Sequence, residues 1–165
     1  MKNWSKFEQE VETTNKWYSR KGYGAVSKIP NGTKTIRVAG EPIIIPTDKT
    51  GCDFIGHFKG IPIAFDCKSM NGKSMPHKQG KNDFVKPHQI EFLKQFSNCG
   101  GVSGLMVRFN DTGDTFWVTI DKYIEMKNNA LGVNKKSLPI AWFKGCKVKR
   151  TGKYLDYLEN LEVQK

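Results

Sequence analysis

Two segments of the chain place apolar residues on one helical face. The first runs from Ser5 to about Arg20, and the second opens at Pro87 and runs to about Phe96. Their inward positions recur every three or four residues: Phe7, Val11, Thr14, Tyr18, Ile90, Leu93 and Phe96. We predict an amphipathic helix over each segment.

Shorter apolar runs bounded by turn residues predict strands. They cover the ranges 25–29, 35–38, 43–45, 53–58, 61–68, 102–109 and 115–120. A short helix is predicted from about Asp121, and a small final one from Tyr154 to Leu161. The polar segment from Ser69 to Lys86 shows no periodicity, and we predict a mobile basic loop there. The whole predicts one α/β or α+β domain over residues 1–165, a mixed sheet flanked by helices.

One predicted hairpin carries paired acids. A two-residue turn at Lys59-Gly60 places Asp53 directly opposite Asp66, with Cβ atoms roughly 5 Å apart. Side chains alternate along a strand, so Lys68 shares their face. The opposite face is apolar and belongs to the core: Phe54, Phe58, Ile61, Ile63 and Phe65.

Charge and composition narrow the function classes. The 165 residues hold 27 Lys and Arg against 16 Asp and Glu, a formal charge of +11. Such an excess favours polyanionic partners, nucleic acid first and acidic membrane surfaces second, although it also serves solubility alone. No apolar run approaches ~18 residues and no signal-like segment opens the chain, so we expect a cytoplasmic protein without a membrane span. The spacing of the four cysteines predicts reduced thiols.

The acid pair admits a plain and a chemical interpretation. Isolated acids are usually solvated strand residues, but directly opposed carboxylates repel each other unless a cation lies between them. Oxygen ligands in this arrangement suit Mg²⁺, with Mn²⁺ able to substitute, and the backbone carbonyl of Cys67 could add another oxygen. Lys68 beside such a site would stabilise charge developing on a phosphate. This set predicts metal-assisted phosphodiester hydrolysis.

Two other polar residues have competing explanations. Glu8 completes a capping box with Ser5 at the start of the first helix, which by itself explains the residue. Gln89 lies in the first turn of its helix, where a solvated polar side chain is usual. The three histidines show no metal-ligand spacing, and we interpret them as structural or DNA-facing.

Several blocks of the chain resemble a known nuclease family. Cys52-Asp53 followed by Asp66-Cys67-Lys68 resembles the motif of the PD-(D/E)xK nuclease superfamily. Further blocks resemble RecU-type Holliday junction resolvases: Phe7-Glu8 with Val11, Thr14-Asn15 and Tyr18, then Cys52 to Gly56, Lys59-Gly60, Phe65 to Lys68, His88 to Glu91, Gly100-Gly101 and Leu155 to Tyr157. The resemblance covers roughly Phe7 to Leu161.

The resemblance implies roles for individual residues. Metal ligands would fall on Asp53, Asp66 and Gln89, the transition-state lysine on Lys68, and Glu8 would match an acid near the metal in archaeal junction resolvases. A restriction-endonuclease-like fold is implied, with a hairpin stalk at about 31–50 that looks shortened here. The phosphate contacts we expect are Lys73, Lys78, Lys81, Lys86, Lys147, Lys149 and Arg150.

The implied activity is Mg²⁺-dependent resolution of four-way DNA junctions in recombination and repair, leaving 5′-phosphates. Paired cuts on opposed strands imply a homodimer. Two departures stand out: Asp66 replaces the usual glutamate, and Gly51 replaces a threonine ligand. Alternatives are another endonuclease of this superfamily acting on linear or damaged DNA, and a non-catalytic junction-binding protein.

Overall fold

The computed structural model describes residues 3–46 and 49–162. Four α-helices cover most of the helical residues: α1 (Asn3–Arg20), α2 (Pro87–Asn98), α3 (Ile120–Gly132) and α4 (Leu158–Glu162). A 3-10 helix runs over Ile140–Cys146. No helix in these ranges has the length and apolar character needed to cross a bilayer.

A five-stranded mixed sheet forms the centre of the fold. Its strands are β1 (Gly24–Lys28), β4 (Phe54–Phe58), β5 (Ile61–Met70), β9 (Val102–Phe109) and β10 (Asp114–Thr119), in the order β1-β4-β5-β9-β10. β5 and β9 run parallel and are joined through α2, whereas the other neighbours are antiparallel. This confirms the predicted mixed sheet flanked by helices.

The two faces of the sheet bury separate cores. On one face α1 and the C-terminal segment cover Phe54, Phe65 and Trp117. On the other face α2 and α3 cover Leu105 and Val107. α1 and α2 bury the apolar faces that their periodicity predicted, which fixes their positions above the sheet.

The hairpin of β4 and β5 has the predicted register. Phe58 pairs with Ile61 and Phe54 pairs with Phe65 across the turn. Both turn residues have positive φ, 45° at Lys59 and 78° at Gly60, as a type I′ turn requires. The apolar face of this hairpin lies in the core beneath α1.

A second hairpin stands apart from the central sheet. β2 (Thr33–Val38) and β3 (Glu41–Pro46) pair only with each other among the described residues. Val38 is 50% exposed and Ile44 is 70% exposed. Thr47 and Asp48, which belong to the predicted insertion at 31–50, lie outside the described residues.

The prediction of a mobile loop from Ser69 to Lys86 is wrong. β5 continues to Met70, and three short strands follow: β6 (Ser74–Pro76), β7 (Lys78–Gln79) and β8 (Asn82–Asp83). Met75 and Val85 are buried in the core beneath α2 and α3. β6 pairs with β11 (Ser137–Pro139), a distant partner that no local pattern announces.

The predicted final helix from Tyr154 to Leu161 is also partly wrong. Its first residues form β13 (Tyr154–Asp156), which pairs with β12 (Lys149–Thr151). Only the end of the segment is helical, as α4. The Tyr18 hydroxyl holds this segment to α1, since it donates to Asp156 and accepts the Leu158 N–H at 3.1 Å.

Candidate active site

The two acids of the hairpin come together at the end of the sheet opposite the Lys59-Gly60 turn. Asp53 directly precedes β4, and its N–H donates to the Phe65 carbonyl oxygen at 3.2 Å. The Cys67 N–H donates to Asp53 Oδ2 at 2.8 Å. These bonds hold the Asp53 carboxylate against β5, beside Asp66.

Asp66 is a buried carboxylate with a charged neighbour. Its side chain is 1% exposed, and Lys68 Nζ lies 2.6 Å from Asp66 Oδ2. Within the described residues, Oδ2 has no hydrogen-bond donor of good geometry beyond this ion pair. The predicted placement of Asp53, Asp66 and Lys68 on one face is confirmed.

Gln89 joins α2 to the acids. Its Nε2 donates to Asp66 Oδ1 at 2.6 Å, and its Oε1 accepts from Lys68 Nζ at 3.1 Å. The Lys86 N–H also donates to Gln89 Oε1, at 3.0 Å. Gln89 therefore caps the first turn of α2 and contacts both charged residues of the site with the same amide.

Burial disfavours the charged forms of both acids. Burial first, and then the negative charge of Asp66, raise the pKa of Asp53 to about 6. Burial also raises the pKa of Asp66, while Lys68 acts in the opposite direction. The half-buried Asp53 and the buried Asp66 therefore have one ammonium group near them, paired with Asp66, and a divalent cation would relieve the remaining negative charge.

Glu8 lies near this cluster and does not cap a helix. Asn3 and Trp4 are already helical, so Ser5 is not an N-cap and the capping-box interpretation is wrong. Instead, Lys28 Nζ lies 2.6 Å from Glu8 Oε2. Burial is the main cause of the raised pKa of Asp66, and the negative charge of Glu8 adds a smaller contribution in the same direction.

Sequence patterns missed Lys28. This residue ends β1 and pairs with Phe54, one strand away from the acids. It bridges Glu8 and, at 3.5 Å, Glu12 on the next turn of α1. The predicted strand over 25–29 could have indicated this role, because a lysine at the end of a strand beside α1 can reach the acids along that helix.

Phe92 explains the departure at Gly51. A Cβ at Gly51 would lie 2.3 Å from Phe92 Cγ, closer than any van der Waals contact. Phe92 of α2 therefore occupies the space that a threonine side chain would need. In this chain no side chain at position 51 can contact a metal unless Phe92 moves.

The basic residues divide into two groups. Among the described residues, Lys73, Lys78, Lys81 and Lys86 form no ion pair with an acid. The second group is paired with acids: Lys147 with Asp114, Lys149 with Glu159, and Arg150 with Glu10. The four lysines without an acidic partner are therefore more available to bind phosphates.

The donor set fits a hard divalent cation. Asp53 and Asp66 offer adjacent carboxylate oxygens, and in the described part of the chain the buried Asp66 Oδ2 has no partner besides the ion pair with Lys68. No three His, Cys, Asp or Glu side chains of the described ranges converge as a larger cluster. Further ligands would have to come from backbone carbonyls such as that of Cys67, from Gln89, or from water.

Removing the Gln89 amide should weaken both the site and the start of α2. We expect Gln89→Ala to slow the predicted phosphodiester hydrolysis by about 10- to 100-fold, since groups that orient metal ligands have effects of this size. Loss of the contact to the Lys86 N–H should also lower the free energy of unfolding by about 1 kcal/mol. Single-turnover cleavage and urea unfolding measure the two effects. The exposed Gln95→Ala on the same helix is the control, and equal behaviour of the two variants would contradict this role.

Comparison with known proteins agrees with the geometry. The family model "Recombination protein U" matches residues 2–163. The Holliday junction resolvase RecU of Streptococcus gordonii is 26% identical over 142 residues, 81% of this chain and 68% of that protein. The protein of the same name from Shouchella clausii is 23% identical over 130 residues, 74% of this chain and 60% of that protein.

The chain is also similar to solved structures. Hjc, a Holliday junction resolvase of Archaeoglobus fulgidus, aligns with a TM-score of 0.43 at 10% identity, over 68% of this chain and 77% of that chain. The family model covers nearly the whole sequence and confirms the resemblance predicted from the motif blocks. The chain belongs to the Recombination protein U (RecU) family.

Proposed function

We propose that this protein is a metal-dependent, structure-selective DNA endonuclease that resolves four-way junctions by paired symmetric nicks. The family and the names of its curated relatives support the prediction of a junction-resolving nuclease. Resolution of such junctions is a step of homologous recombination and repair.

One observation carries the proposal. Two neighbouring carboxylates, Asp53 and the buried Asp66, meet the ammonium group of Lys68 on one face of a rigid hairpin. Two neighbouring carboxylates removed from water are unfavourable for folding unless they bind a cation, because like charges repel and the carboxylates lose their hydration. This combination suits hydrolysis of a phosphodiester.

The cation would be Mg²⁺, with Mn²⁺ as a substitute, held by Asp53 and Asp66 and assisted by Gln89 and the Cys67 carbonyl. When bound, it would supply an activated water and stabilise negative charge on the phosphate oxygens. Lys68 is held by Asp66 and Gln89, which leaves one of its three ammonium protons for a phosphate oxygen. We place Glu8 at the edge of this site, oriented by Lys28.

We propose that the unpaired lysines contact the DNA backbone. Lys78 lies in β7 and Lys81 in the exposed turn that follows it, whereas Lys147 and Lys149 are already neutralised by acids. Lys73 and Lys86 would add further phosphate contacts, whereas Arg150 is paired with Glu10.

Replacing Lys78 and Lys81 should weaken junction binding. We expect the double variant Lys78→Ala/Lys81→Ala to lower junction affinity and to reduce the slope of log affinity against log salt by about 2, one for each lost phosphate contact. The matched control, Lys147→Ala/Lys149→Ala, removes the same charge from paired positions and should change the slope less. Titration of labelled junction at several salt concentrations measures both, and a larger effect of the control pair would contradict the assignment.

Three further features belong to the proposal. Paired cuts need two active sites, so the working unit is a homodimer. The hairpin of β2 and β3 exposes Val38, Ile43 and Ile44, and we assign it to the open centre of the junction as a stalk. The reduced cysteines and the DNA substrate agree with a cytoplasmic location.

Ligation of the products tests this function. A resolvase should leave one nick at the same position in each of two opposed strands, and DNA ligase should seal both because they carry 5′-phosphates. Staggered or one-sided cuts would indicate another endonuclease of the superfamily. Tight junction binding without any cleavage would indicate an accessory protein and would overturn the proposal.

A further inference from the structure

The two edges of the central sheet differ. The β10 edge is covered, because the Val148 N–H donates to the Thr115 carbonyl at 2.8 Å and Lys147 forms a bridge with Phe116. β1, at the other edge, pairs with β4 alone among the described residues. It contains neither proline nor a bulge, and its one charged residue, Lys28, is paired with Glu8 of the same chain.

The backbone groups at the open edge can be assigned. The Ile29 N–H donates to the Asp53 carbonyl at 2.7 Å, so Ile29 faces β4. Backbone groups alternate along a strand, and Ala25 and Ser27 therefore face β4 as well. Gly24, Val26 and Lys28 direct their N–H and C=O groups away from the sheet.

We propose that two copies of this chain join through antiparallel pairing of their β1 strands, centred on Val26. This inference rests on the proposed function, which requires two active sites in one assembly. Val26 of one copy would lie opposite Val26 of the other, and Gly24 opposite Lys28. Gly24, Val26 and Lys28 direct their backbone groups outward, so each opposed pair that these three residues form exchanges two hydrogen bonds.

Symmetry favours a second copy over any other extended peptide. The axis relating two identical antiparallel strands is perpendicular to the sheet, so both acid clusters face the same side of the continuous sheet. Asp53 aligns with Ile29, three residues from Val26. With strands about 4.8 Å apart and about 3.4 Å per residue, the two Asp53 residues lie about 25 Å apart. Two sites on one face suit paired cuts in a single junction.

The surroundings of β1 fit such a neighbour. Ala25 and Ser27 are small and exposed, and the charge of Lys28 is already compensated by Glu8. A cavity of about 280 Å³ opens between α1 and β1. It is lined by Asn15, whose buried Nδ2 has no acceptor within the described residues.

Cross-linking tests the register without DNA or metal. In the proposed pairing Ala25 opposes Ser27 of the other copy, with Cα atoms about 4.5 Å apart, within reach of a disulfide. In a background with the exposed Cys99→Ser, we expect mild oxidation of A25C/S27C to give a covalent dimer, twice the 18.7 kDa chain, on a non-reducing gel. A25C alone should cross-link poorly, because its Cα atoms would be about 8 Å apart. A mixture of A25C and S27C chains should form only the mixed dimer.

A proline at the centre of the interface gives a second test. V26P removes an outward N–H and no bond to β4, so we expect a folded monomer by sedimentation, whereas V26T should remain a dimer. If V26P does not fold, the cross-linking result decides. A monomeric wild type, or a dimer indifferent to V26P with no register-specific cross-link, would overturn the interface. Neither readout involves cleavage, so failure here leaves the nuclease proposal to its own test.

Discussion

Asp66→Asn is expected to abolish junction cleavage while the protein stays folded and bound to DNA. Asparagine keeps the shape of the side chain and an oxygen for Gln89 Nε2, but it removes the negative charge that would hold the cation. We expect a loss on the order of 10³-fold in the single-turnover cleavage rate. The basic surface is unchanged, so junction affinity measured in EDTA should match that of the wild type.

A protein-only measurement separates metal binding from catalysis. Mg²⁺ or Mn²⁺ should raise the thermal unfolding midpoint of the wild type, because a ligand that binds only the folded state stabilises it. Asp66→Asn should show no such rise. Asp121→Asn is the matched control, since Asp121 also pairs with a lysine but is 59% exposed on α3. Normal cleavage by Asp66→Asn would contradict the assignment of the site.

Lys68→Met should have an effect of similar size. Methionine fills much of the volume of the lysine stem without its charge, so the phosphate loses a cationic donor and Asp66 loses its ion-pair partner. We expect cleavage to fall by about 10²- to 10³-fold, the range seen when one donor to a developing anion is removed. Single-turnover rates at saturating protein measure the chemical step without the contribution of binding.

Lys94→Met provides the comparison for this lysine. Lys94 lies on α2, is 43% exposed and pairs with Asp121, so it resembles Lys68 in chemistry but not in position. Its replacement should leave the cleavage rate within about 3-fold of the wild type, as expected for a surface ion pair. If Lys68→Met were equally mild, the lysine would hold the acid pair together in the absence of metal and do no more.

Local sequence was sufficient for the hairpin that carries the acids. The two residues Lys59-Gly60 determine a tight turn, and the turn determines which residues face each other. The apolar alternation of β4 and β5 then leaves one face for the core and one for Asp53, Asp66 and Lys68. The amphipathic faces of α1 and α2 were equally legible, because each depends only on neighbours within two helical turns.

Features that depend on contacts between distant parts of the chain could not be predicted from the sequence. Met75 and Val85 are isolated apolar residues in a polar run that pack in the core with distant elements, Met75 through pairing of β6 with a strand some sixty residues further along. Glu8 matched a capping box because its true partner, Lys28, lies on another element. The space at Gly51 is likewise determined by Phe92, which the chain brings from α2.

The most direct test is cleavage of an end-labelled mobile four-way junction beside a linear duplex of the same sequence, with Mg²⁺ and then with EDTA. Wild type and Asp66→Asn would be compared in parallel. We expect symmetric nicks in the junction alone, and their loss in EDTA and in the variant. Cutting of both DNAs would retain the active site but contradict junction selectivity, and cleavage that survives both EDTA and Asp66→Asn would contradict the metal-dependent acid pair.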